Sequence, residues 1–119
     1  MAENTVHFPV FTMFPNNKSV YFCDSYSRRP GSTYILNKLA EESGNGMVTW
    51  YRQNFFGNPG NIFDIIWPES GVKATPPDHA SHHFSDIGWA IMRSDFTDTE
   101  KVTVAAKAGK LDDPHHGHL

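Results

Sequence analysis

Residues 75–93, TPPDHASHHFSDIGWAIMR, constrain the fold of this chain more than any other stretch. Thr75, Pro76, Pro77 and Asp78 spell a helix start: a threonine cap, prolines whose missing N–H groups cost nothing in a first turn, and an acid at the capping-box position. From there two stripes separate at helical spacing. Ala80, Phe84, Ile87 and Ile91 fall on one face, with His83 and Gly88 beside them, and His79, His82, Asp86, Trp89 and Arg93 fall on another. The spacing therefore predicts a helix over 76–93 with an apolar face turned to a core and a titratable face turned outward.

The remaining elements follow from alternation and punctuation. Val6, Phe8 and Val10 alternate, which predicts a strand over 5–14, confined to an edge or a bulge by Pro9. Pro15, Asn16 and Asn17 make a turn into a second strand over 19–25, completing a hairpin. Ser32 is placed to cap a helix through 43, with Ile35, Leu36, Leu39 and Ala40 inward and Gly44-Asn45-Gly46 as the stop. The run 47–56, MVTWYRQNFF, is aromatic and β-branched and predicts a strand, turned by GNPGN into another over 62–67. A last strand over 101–106 rests on Val102 and Val104. Read from Ser19, the order β-α-β-β-α-β predicts an α+β fold: an antiparallel sheet with two helices on one face, ferredoxin-like, carrying an extra N-terminal strand. One domain over 1–111 is expected, followed by a His-rich C-terminal tail, 112–119.

Charge and composition narrow the function classes. A net charge of −3 opposes a broad nucleic-acid surface, although Arg28-Arg29 and the aromatic run would otherwise suit stacked bases. No stretch approaches the roughly 18 apolar residues of a membrane span, and the start MAENTVHF lacks the basic and apolar regions of a signal peptide. Cys23 is the single cysteine, so no intrachain disulfide forms; in YFCDSY it reads as a small buried hydrophobe. A cytoplasmic protein is the expectation.

Seven histidines, six of them after residue 78, are the chemical feature of the chain. His79 and His82 are candidate acid–base groups with Asp86 as their orienting carboxylate, and the same imidazoles are candidate ligands of a divalent transition metal. His115, His116 and His118 in the tail are further candidate ligands, and the tail is expected to pack across a subunit or against the 78–86 face. Trp50, Tyr51, Trp67 and Trp89 are candidate pocket or interface residues. Two functions compete on these observations. The first is a small recognition or assembly subunit that self-associates or joins a larger complex. The second is a small enzyme using His79, His82 and Asp86 beside an aromatic-lined pocket that takes a small molecule. Nucleic acid and membrane are not expected partners.

Overall fold

The computed structural model describes residues 2–22, 31–98 and 100–108, with side chains from Thr5 onward. Cys23, the Arg28-Arg29 pair and the tail 112–119 lie outside the described residues. Among the described residues, four helices, α1 (Ala2–Phe11), α2 (Thr33–Ser43), α3 (Gly46–Phe55) and α4 (Phe63–Ile66), precede a three-stranded antiparallel sheet of β1 (His82–Phe84), β2 (Trp89–Arg93) and β3 (Thr103–Lys107). The fold is α+β. Its element order differs from the β-α-β-β-α-β of a ferredoxin-like sheet, and a helix stands where an extra N-terminal strand is expected. The described chain forms two compact units: one from residues 2–10 and 31–78, the other from 11–22, 79–98 and 100–108. No helix among the described residues is long and apolar enough to cross a membrane.

In the first unit, α2 is the helix that its sequence predicts. It stops at Gly44, whose N–H bonds the Ala40 carbonyl at 2.9 Å. Leu36 and Ala40 are buried and Ile35 is exposed, so α2 packs on α3 along the Leu36/Ala40 line. The predicted strand over 47–56 is instead α3. Asn45 caps it, its Oδ1 accepting the Met47 N–H at 2.9 Å. Burial of Met47, Val48, Tyr51 and Arg52 follows the i, i+1, i+4, i+5 pattern of a helix rather than the alternation of a strand. Each fully buried aliphatic side chain here stabilises by roughly 1.5–3 kcal/mol, enough to override the weaker β-propensity of the run. Gly46 opens α3 under the backbone of 73–75: the Thr75 N–H bonds its carbonyl at 3.0 Å, and a Cβ at 46 would collide with the Lys73 carbonyl oxygen.

Residues 5–11 of the strand expected over 5–14 lie in α1. Val6 and Val10 share a face in either conformation, so Phe8 decides: a strand would bury it with the valines, but it is 40% exposed. The turn at Pro15-Asn16-Asn17 is present, with Asn17 at φ 62°, and the hairpin around it is reduced to one bridge between Met13 and Ser19. Residues 23–25 of the predicted second strand lie outside the described residues.

The second unit contains the main correction. Residues 76–93 are not a helix. An irregular segment leads into β1, a single 3₁₀ turn (Ser85–Ile87) reverses the chain, and β2 returns with His82 opposite Ile91 and Phe84 opposite Trp89. Gly88, at φ 63°, occupies the left-handed position that closes this turn, a conformation only glycine adopts at no steric cost. Strand alternation replaces the helical stripes. His82, Phe84, Trp89, Ile91, Arg93, Thr103, Ala105 and Lys107 share the covered face of the sheet, while His83, Met92, Val104 and Ala106 are exposed on the other. β3 lies where expected with its faces exchanged: Val102 and Val104 point outward, and Thr103 and Ala105 inward.

Candidate functional site

His79 and His82 belong to the second unit. His79 lies in the irregular segment before β1 and is exposed; His82 opens β1 and is half-buried. Their ring centroids are 5.9 Å apart, and both rings lie 4.8 Å from that of Phe11, His79 stacked at 21° and His82 tilted at 30°. Phe84 adds an edge contact to His82 at 4.5 Å. Phe11 is itself fixed. Its ring meets Phe96 edge-on at 5.2 Å, and its carbonyl accepts a 2.7 Å hydrogen bond from Arg93 Nη2. The same nitrogen donates to the Met13 carbonyl at 2.6 Å, and the guanidinium lies 4.1 Å over the Phe96 ring. Burial pulls Arg93 below the ordinary arginine range, to about 10, which leaves it charged at neutral pH. This arrangement aligns two imidazoles on one aromatic platform. Asp86, expected to continue the histidine stripe, lies in the 3₁₀ turn, exposed and next to the Ser85 hydroxyl at 3.5 Å. His83 points to the opposite side of the sheet from His82.

The candidate aromatic residues are distributed over both units. Tyr51 is fully buried in α3, and Trp50 packs edge-on against Phe55 at 5.5 Å. Trp89, on β2, meets Phe22 edge-on at 4.8 Å. Trp67, at the end of α4, belongs to a half-buried group in the first unit: Tyr34, Phe63 and Trp67 form a ladder with centroids 5.2–6.3 Å apart.

That ladder borders a feature that sequence reasoning missed. In α4 the usual polarity of a surface helix is reversed. Asp64 is buried at 7% exposure, while Ile62, Ile65 and Ile66 stand 71%, 79% and 62% exposed. Asp64 Oδ2 accepts the N–H groups of Gly60 at 3.1 Å and Asn61 at 2.9 Å, and Asn61 Oδ1 accepts the Phe63 N–H at 3.1 Å. The Thr33 hydroxyl, with these two N–H groups and Arg52, holds the Asp64 carboxyl below the ordinary carboxylate range against the opposing effect of burial. Asn37, buried on α2, donates to the Trp67 carbonyl at 3.0 Å and fixes the far end of the turn. The signal was present as Asn-x-x-Asp, a capping box over 61–64, hidden inside a run that reads as an alternating strand. Comparison of the chain with protein-family models, with curated proteins and with solved structures finds no match.

Proposed function

We propose that the protein is a small assembly subunit that self-associates through the apolar face of α4. The observation that carries this reading is the reversed polarity of residues 62–67, where a rigid capping network turns three isoleucines to solvent and a carboxylate to the interior. Contiguous exposed apolar surface rimmed by polar residues is characteristic of interaction sites, and each isoleucine fully covered stabilises the complex by roughly 1.5–3 kcal/mol. Charge favours a second copy as the occupant. Residues 57–68 carry one ionisable group, the buried Asp64, within a chain of net charge −3. Two copies can therefore meet there without like charges facing one another, in the self-complementary manner of a two-fold interface. The same neutrality gives an anionic lipid surface nothing to attract. A cytoplasmic setting accompanies this reading, since a single cysteine leaves the fold independent of disulfides.

Light scattering on a sizing column tests the proposal. The expected result is an oligomer for the native chain and a monomer with unchanged circular dichroism for Ile65→Asp combined with Ile66→Asp. A native chain that stays monomeric at 100-fold increasing concentration would overturn it.

A further inference from the structure

We infer that His79 and His82 form a binding site for a divalent transition metal, borne entirely by the second unit and independent of the α4 face. Their ligating nitrogens lie within 4.8 Å of one another. A tetrahedral ion with Zn–N bonds of about 2.0–2.1 Å needs its two imidazole nitrogens about 3.4 Å apart. The remaining difference falls to the exposed His79 side chain, since His82 is half-buried on β1.

The platform makes the pair more than two neighbouring histidines. An imidazole ligates through a lone pair in its ring plane, so packing the faces of these rings towards Phe11 does not compete with the metal. The contacts instead restrict the rings before binding, which reduces the entropy lost on ligation. Arg93 acts one layer further out. By bonding the Phe11 and Met13 carbonyls it holds the backbone that carries the platform ring, and it is a positioning residue for the site. Imidazole donors select zinc, copper and nickel over magnesium and calcium, which require oxygen.

The experiment is a titration of the full chain with zinc, followed by calorimetry, and with cobalt(II), followed by visible absorption. Four proteins are compared: native, His79→Gln with His82→Gln, His83→Gln, and a variant with His115, His116 and His118 all replaced by alanine. The expected result is one zinc bound by the native, His83 and tail variants, with at least tenfold weaker binding for the His79/His82 variant. Magnesium is expected to compete in none. His79→Gln alone, at an exposed position, repeats the measurement should the double variant fold poorly. Binding that persists in the His79/His82 variant, or that disappears with the tail histidines, overturns the assignment, as does no saturable binding at all.

Discussion

Arg93 holds the segment 11–13 by donating from one nitrogen to the carbonyl of Phe11 at 2.7 Å and to that of Met13 at 2.6 Å. Buried carbonyls need hydrogen-bond partners, and a buried cation satisfies two of them here. Replacing Arg93 with methionine keeps the bulk and removes the donors. Hydrogen bonds to charged groups contribute about 1.5–3 kcal/mol each, so the expected loss of the two is about 3–6 kcal/mol in denaturant unfolding. Arg93→Lys should recover only part of this, because an ammonium lacks the planar fork that lies over Phe96. A lysine variant as stable as the native chain would show that charge alone, without guanidinium geometry, holds this corner.

Acid should weaken the fold through two carboxylates. Asp64 is held below the ordinary range by Thr33 and by the Asn61 and Gly60 N–H groups. Asp95 is held there by the Thr97 hydroxyl and the N–H groups of Thr97 and Asp98, in the turn between β2 and β3. A carboxyl whose folded pKa is depressed contributes stability that is fully present above its unfolded pKa and is lost as pH falls through the folded value. Stability is therefore expected to be flat from neutral pH down to about 5 and to fall below about 4. The fall should be shallower in Asp64→Asn and in Asp95→Asn, each of which starts from lower neutral-pH stability. Thermal melts across pH 3 to 7 read this directly, and an unchanged acid slope in both variants would contradict it.

Gly46→Ala should destabilise the first unit. A methyl at 46 meets the Lys73 carbonyl oxygen and approaches Thr75 Oγ1 at 2.8 Å, and the former is backbone that cannot rotate away. Overpacking of this kind costs about 1–3 kcal/mol. Gly57→Ala, where nothing lies within 4 Å, is the matched control and should leave the melting temperature within a degree or two. Equal effects at the two positions would contradict the close approach.

The parts of this fold that were legible in the sequence are those where local signals and burial agree. Helix α2 carries a clear amphipathic line and a glycine stop, and β3 lies between a polar turn and a lysine. The failures occur where one pattern serves two conformations. Val6 and Val10 share a face in a strand and in a helix alike. Residues 47–52 have the composition of a strand, but Asn45 starts a helix directly after Gly44 ends one, and packing against α2 decides. In 76–93 the prolines mimic a first helical turn, while Gly88 supplies the left-handed residue that makes a hairpin turn of Ser85–Ile87. His79 and His82 are paired in both readings, for different reasons: three-residue helical spacing in one, a shared aromatic platform in the other. Phe11 could not be connected to them from sequence, because 68 positions separate it from His79 and only tertiary structure brings it there.

Helix α4 provides a prediction that inverts the usual rule for apolar and charged residues. In most surface helices, isoleucine→serine is destabilising and a change at the acid is neutral. Here Ile65 is 79% exposed and touches little, so Ile65→Ser should alter monomer stability by no more than about 0.5 kcal/mol. Asp64→Leu should be the damaging change: it leaves the Gly60 and Asn61 N–H groups and the Thr33 hydroxyl facing an apolar side chain, and it removes the cap that orders the turn. If this face is the contact between copies, the two substitutions also separate in association. Ile65→Ser should weaken self-association while melting at the native temperature when measured as a dilute monomer. Asp64→Leu should lower the melting temperature at every concentration. Hydrogen exchange at the Asn61 and Phe63 amides gives the independent check, with faster exchange expected for Asp64→Leu and native protection for Ile65→Ser. The opposite ranking, in which the isoleucine matters for folding and the aspartate does not, would mean that the polarity of this turn is conventional.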